Sequence, residues 1–265
     1  MLASQRRTLI AAEVQRRGAA RVIDLTARFD VSDMTIRRDL EMLESEGRVR
    51  KVHGGAVAVG SSIDEPGFEA KRGINTPAKR AIAARAAELI APRSAIGISA
   101  GTTTWMLAET VAAMAEPLSI VTNSTTVADA LAAPGAVGKS VILTGGLRTP
   151  SAALVGAVAD RAIESLHVDR LFLGVHGMDA AAGLTTPNLA EAHTDAAFIS
   201  RARHVVVLAD SSKWSTIGLA TIAPLTAVDI LITDDGLPAE ARQVLRDCVG
   251  ELVVVPVGSE ATLAG

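Results

Sequence analysis

Residues 31–57 read VSDMTIRRDLEMLESEGRVRKVHGGAV. Ser32 stands at a helix start, where its hydroxyl can accept a hydrogen bond from an orphan backbone N–H of the first turn. Ile36, Leu40 and Leu43 recur at i, i+4 and i+7, so they form one inward stripe and turn Thr35, Arg37 and Arg38 away from the core. A helix whose first turns carry Thr and Arg outward can enter the DNA major groove. Behind it, Arg48, Arg50, Lys51 and His53 precede Gly54-Gly55, which places a basic turn where a β-wing touches flanking phosphates. The plain alternative is a small helical bundle with a solvated face, Arg37 pairing with Asp39 and Glu41. The order of parts favours DNA reading: two helices, a tight turn, a third helix, then a basic hairpin.

Working outward, residues 3–17 predict a first helix with Leu9, Ile10 and Val14 along one face, closed by Gly18. Residues 22–29 predict a second, with Val22, Leu25 and Phe29 inward. Charge follows the same division: residues 1–57 carry 11 Lys and Arg against 8 Asp and Glu, while the whole chain carries 26 against 29. A modestly basic head on an acidic body fits DNA contact confined to one end. A 265-residue chain accommodates one small and one medium domain. The lone Cys248 excludes an internal disulfide, and nothing around it has metal-ligand spacing. Arg6, Arg7, Glu13, Arg16 and Arg17 break any apolar leader, and no apolar run is long enough to span a bilayer, so a cytoplasmic, membrane-free protein is expected. With 2% aromatics and no tyrosine, stacking platforms for single-stranded nucleic acid are not expected.

The head closely resembles the helix-turn-helix of the DeoR family of bacterial transcription regulators. The resemblance is carried by Val31-Ser32, by Thr35-Ile36-Arg37-Arg38-Asp39-Leu40, by Leu43, and by Arg50 with His53-Gly54-Gly55-Ala56. It implies that Ser32, Thr35, Arg37 and Arg38 face DNA, with Arg50, Lys51 and His53 as wing or backbone contacts. Arg38 has Asp39 and Glu41 beside it as bracing partners, so Arg37 is the first choice for a base or phosphate contact.

The expected organisation is a winged helix-turn-helix over residues 1–58, a linker over 59–76 and an effector domain over 77–265. Strand candidates in the body are 95–98, 118–121, 140–143, 170–175, 204–208, 229–232 and 252–255. Helix candidates are 77–90, 103–115, 124–132, 152–166, 188–202 and 239–248. Short β-branched runs alternating with amphipathic helices predict a Rossmann-like, mostly parallel α/β sheet covered on both faces. The turns after the strands are the informative part: Ser99-Ala100-Gly101-Thr102-Thr103-Thr104, Thr122-Asn123-Ser124, Thr144-Gly145-Gly146, and Ala209-Asp210-Ser211-Ser212-Lys213. In a parallel sheet all four fall on the carboxyl edge, where free helix N–H groups, hydroxyls and a lysine suit a small phosphorylated, hydroxyl-rich molecule. Each turn alone is as readily an N-cap or a tight turn; the four together with a lysine favour a binding site.

These motifs also match the sensor half of the DeoR family, which is similar in fold to sugar-phosphate isomerases such as ribose-5-phosphate isomerase. Phe68, Arg72 and Lys79 match the usual opening of that half. The resemblance implies a sugar phosphate effector held by Ser99, residues 101–104, Asn123, Gly145, Gly146 and Lys213. Double-stranded operator DNA is the implied second partner, and a homodimer or homotetramer is expected. No cofactor, metal or catalytic residue is implied. Asp179 and Glu191 occupy positions like those of acidic residues in the isomerase relatives and are read as hydroxyl-binding groups, with a helix-start carboxylate as the alternative for Glu191. Asp195 and Ala196 stand where the family often has a lysine or arginine. The competing reading is a sugar-phosphate isomerase with an accessory DNA-binding domain, which would need one of these carboxylates as a base.

Overall fold

The computed structural model describes residues 2–17, 19–46, 48–52, 54–58, 67–133 and 137–258. The chain divides into two compact units, Met1–Asp64 with Glu69–Ile74, and Glu65–Phe68 with Asn75–Gly265.

In the first unit, α1 (Ala3–Arg17), α2 (Val22–Phe29) and α3 (Asp33–Ser45) pack around Ile10, Val14, Val22, Leu25, Ile36, Leu40 and Leu43. Ile36, Leu40 and Leu43 are all at most 1% exposed, as their spacing predicts. Ser32 caps α3, its hydroxyl accepting from the Thr35 N–H. The wing is a hairpin of β2 (Val49–Val52) and β3 (Gly55–Ala58), with Gly54 at φ +80 in the turn. It has a third strand that three residues are too few to announce by periodicity: β1 (Ala19–Arg21) pairs antiparallel with β3. Asp39 is no surface partner for Arg37. It is buried and takes the Arg6 guanidinium of α1, itself largely buried, so this ion pair ties α1 to α3.

α4 (Phe68–Arg72) lies inside the stretch read as linker. The second unit then alternates α5 (Thr76–Ala87), β4 (Ala95–Ile98), α6 (Thr102–Ala112), β5 (Leu118–Thr122), α7 (Thr125–Leu131) and β6 (Lys139–Leu143). A two-stranded hairpin follows, β7 (Leu147–Arg148) with β8 (Leu154–Val155), and then α8 (Ala157–Glu164) and β9 (Val168–Gly174). Next come β10 (Gly177–Asp179), β11 (Gly183–Thr186), α9 (Leu189–Ser200) and β12 (Ala202–Leu208). A 3-10 turn (Ser211–Lys213), β13 (Ala220–Ala223), β14 (Ile230–Asp234), α10 (Ala239–Cys248) and β15 (Glu251–Val255) complete it. Seven strands form one sheet in the order β15-β14-β12-β9-β4-β5-β6, every pair parallel.

All seven strand candidates are strands of this sheet. The helix expected over 152–166 begins only at Ala157; pairing with Leu147 and Arg148 draws Leu154 and Val155 into β8 despite the alanines ahead of them. Unannounced by the sequence is a small antiparallel sheet, β10-β11-β13.

Alternation along the central strands builds two cores. Phe172, Val206, Leu208 and Ile232 face one side, with Ile82, Leu107 and Val127 from α5, α6 and α7. Leu171, Leu173, Val205, Val207 and Leu231 face the other, with Ile163, Phe198 and Leu245 from α8, α9 and α10. Gly97 in β4 makes room for the ring of Phe198: a Cβ there would stand 2.9 Å from the ring edge and 3.0 Å from Leu171. Gly97→Ala is therefore expected to lower stability by about 1–3 kcal/mol, the usual cost of overpacking, read as a lower denaturant midpoint with an unchanged slope.

Candidate functional site

Two places carry chemistry. On the first unit, the exposed surface of α3 presents Asp33, Met34, Arg37, Arg38 and Glu41. Thr35 is half-buried and its hydroxyl bonds to that of Ser32, 2.8 Å away. Arg37 is exposed but engaged, its guanidinium pairing with Asp33 one turn earlier, and this partner raises its pKa further above an already permanent charge. Arg38 is exposed and braces neither Asp39 nor Glu41, since Arg6 holds the first and Lys51 the second. Lys51 is thus tied to α3 twice: its Nζ lies 2.9 Å from Glu41 Oε1, and its backbone N–H donates to Glu44. Arg50 lies in β2 paired with Val57, its side chain outside those described; His53 lies outside the described residues altogether.

The second place is the carboxyl edge of the seven-stranded sheet. The chain leaves β4 toward β5 on one side and later returns to β9 on the other, so β4 and β9 flank a topological switch point, where open α/β sheets form their crevice. Ser99, Asn123 and Thr122 hold this point. The Gly174 N–H at the end of β9 donates to Ser99 Oγ (3.0 Å), the Ala100 N–H to Asn123 Oδ1 (3.0 Å), and Thr122 Oγ1 to the Ile98 carbonyl. Ser99 and Asn123 are at most 1% exposed, and their side chains shape the loop.

Gly101 caps α6 at φ 156, ψ 160, a conformation essentially confined to glycine. The amides of residues 102–104 have no helical carbonyl behind them, and the positive end of the helix dipole adds to their pull on an anion. Thr104 is spent, its hydroxyl donating to the Gly101 carbonyl. Thr102 and Thr103 have no side-chain hydrogen bond among the described residues. Gly145 and Gly146 take φ +74 and +120 at the hairpin entry; a Cβ on Gly146 would meet the Val155 carbonyl at 2.5 Å, so that glycine serves close backbone packing.

At the end of β12, Asp210 is 1% exposed. Burial alone would push its carboxyl up, but Lys213 and Lys79, with hydrogen bonds from Ser212 and Asn75, outweigh burial and hold its pKa below the ordinary value. Lys213 is positioned by the 3-10 turn, which Asp234 at the end of β14 anchors through the Ser211 amide (2.6 Å) and hydroxyl (2.8 Å). Lys79 is 2% exposed on α5, which packs against α6, β12 and β14. Two ammonium groups and a helix N-terminus at one sheet edge form an anion-binding arrangement. The sequence names Lys79 only as part of a domain opening; on an alanine-rich helix it has no signal of burial.

The acidic residues are placed differently. Asp179 Oδ1 accepts from the Ala181 and Ala182 amides and closes the β10–β11 turn. Glu191 lies in the first turn of α9 and accepts from three hydroxyls: Thr149 (2.6 Å) and Ser151 on one oxygen, Thr186 (3.2 Å) on the other. Asp195, one turn on, is 9% exposed. Burial, reinforced by the Glu191 carboxylate, pushes its pKa well above the ordinary 3.8. Among the described residues no group of three His, Cys, Asp or Glu is placed to hold a metal ion, and no helix is long and apolar enough to cross a membrane.

The Asp195 shift has a definite sign. The folded state binds this proton more tightly than the unfolded chain, so its contribution to stability is full below the ordinary carboxyl value and is lost as pH rises through the elevated one. Asp195→Asn removes that loss: denaturant titrations from pH 4 to 8 are expected to show the variant gaining on the parent as pH increases.

Residues 6–62 match the DeoR-like helix-turn-helix domain and residues 74–235 the DeoR C terminal sensor domain. The chain is 38% identical to the HTH-type transcriptional regulator GlpR of Haloferax volcanii, over 92% of this chain and 94% of that protein. It is 32% identical to the glycerol-3-phosphate regulon repressor of Escherichia coli K12, over 93% of this chain and 97% of that one. Among solved structures, ribose 5-phosphate isomerase A of Neisseria gonorrhoeae is similar at 18% identity and a TM-score of 0.37, covering 52% of this chain and 53% of that one. With a helix-turn-helix ahead of a sensor sheet, and relatives matched along nearly their whole length, the chain belongs to the DeoR family of DNA-binding transcriptional regulators.

Proposed function

We propose that this regulator represses a carbohydrate-metabolism operon by binding double-stranded operator DNA as a homo-oligomer, and that a phosphorylated sugar at the carboxyl edge of the sensor sheet releases it. The observation that carries the effector assignment is the convergence of Lys79 and Lys213 on buried Asp210, on the edge where α6 offers its open first turn and the hydroxyls of Thr102 and Thr103. A phosphate supplies the oxygens these donors need, and the sugar's hydroxyls supply partners for the polar side chains around it. That the E. coli relative is a glycerol-3-phosphate regulon repressor is in keeping with a phosphorylated effector.

The same geometry favours binding without turnover. An isomerase base must reach a carbon-bound proton, yet Glu191 already accepts from three hydroxyls and Asp179 caps a turn. The domain division follows the same logic, with residues 1–58 for DNA, 59–76 as connection and 77–265 for the effector. The effector acts by the difference in its affinity for the DNA-bound and DNA-free conformations. Two helix-turn-helix units on one operator call for at least a dimer.

The test uses the two tryptophans of the chain, both beside the proposed site: Trp105 donates its backbone N–H to the Gly101 carbonyl, and Trp214 directly follows Lys213. Titration with pentose, hexose and triose phosphates is expected to change their fluorescence and to release bound operator DNA. Lys213→Ala should weaken the sugar phosphate by about ten- to a hundredfold, the loss of one charged hydrogen bond, and leave operator affinity unchanged. Arg38→Ala should do the reverse. Conversion of the sugar phosphate at enzyme-like rates, with no DNA release, would refute the proposal.

A further inference from the structure

On α3 the outward direction can be located from the core. At about 100° per residue, Met34 and Arg38 lie roughly 160–200° around the helix from Ile36, whereas Arg37 lies only about 100° away. The crest of the exposed face is therefore Met34 and Arg38, one turn apart, with Arg37 on its flank held by Asp33. Met34 is 77% exposed, more than any other large apolar side chain described in this unit. A single exposed apolar residue on a protein surface is ordinary. Here it occupies the second position of the helix whose first turns enter the major groove, between a hydroxyl, a carboxylate and two guanidiniums. Each of those can seek a polar base edge or a phosphate; Met34 cannot. The apolar group on a major-groove edge is the thymine 5-methyl. An unbranched, polarisable thioether with three rotatable bonds adapts readily to such a contact.

We propose that Met34 is a specificity-determining residue that reads a thymine methyl in each operator half-site, beside the base contacted by Arg38. This assignment rests on the operator-binding reading above and sharpens it to one atom. Burying one methyl-sized group is worth about fourfold in affinity per half-site.

The experiment selects binding sites from a pool of random duplexes with the full-length protein, then replaces each thymine singly by deoxyuridine, which removes only the methyl. The wild-type protein is expected to lose about fourfold at one thymine per half-site. Met34→Ala should bind the thymine and deoxyuridine duplexes equally at that position while keeping its preferences elsewhere, and Met34→Leu should retain the discrimination. A Met34→Ala protein that still distinguishes thymine from deoxyuridine at every wild-type position would overturn the assignment, as would a wild type with no methyl-sensitive position. Recovery of no selected duplex at all would overturn the operator reading, and the role of Met34 with it.

Discussion

The sensor unit depends on one constraint: its seven-stranded sheet is parallel throughout. Parallel order forces every return of the chain through a crossover, which clothes both faces in helices, and it delivers all the strand ends to a single rim. Because β4, the first strand, sits inside the sheet with later strands added on both sides, the rim opens at its end. The hydrogen bonds of Ser99 and Asn123 then fix the loop that leads into Gly101. The gathering of these turns on one edge follows from the winding order before any individual side chain is considered.

Electrostatics refines that edge. Asp210 is an anion buried near two lysines, so part of their positive charge is balanced within the protein. Glu191 is surrounded by hydroxyl donors, and its carboxylate, with burial, raises the pKa of Asp195 one turn on.

Much of this was readable from the residues. All seven sheet strands announced themselves as short apolar runs, and Ser32, Ile36, Leu40 and Leu43 fixed α3 within its unit. What escaped was decided by distant partners. β1 has three residues and is a strand because β3 lies beside it. Residues 152–155, alanine-led, favour a helix locally and lose to pairing with Leu147 and Arg148. Lys79 acquires its meaning from Asp210, and Glu191 from Thr149 and Ser151, separations that no local pattern encodes. Arg37 looked the more available arginine because Asp39 was assumed to be on the surface; Arg6, an entire helix away in sequence, takes Asp39 inward.

Phe68, at the start of α4, meets Trp105 edge-on at 5.8 Å, and its amide donates to the Pro150 carbonyl. Trp105 belongs to the first turns of α6, and Pro150 sits between the two residues whose hydroxyls hold Glu191. One residue thus touches both segments, its ring meeting α6 and its backbone N–H the loop at Pro150. Because packed interiors shift as connected pieces, a change in the first turns of α6 is felt at Phe68 and, through its amide, at the loop that holds Glu191.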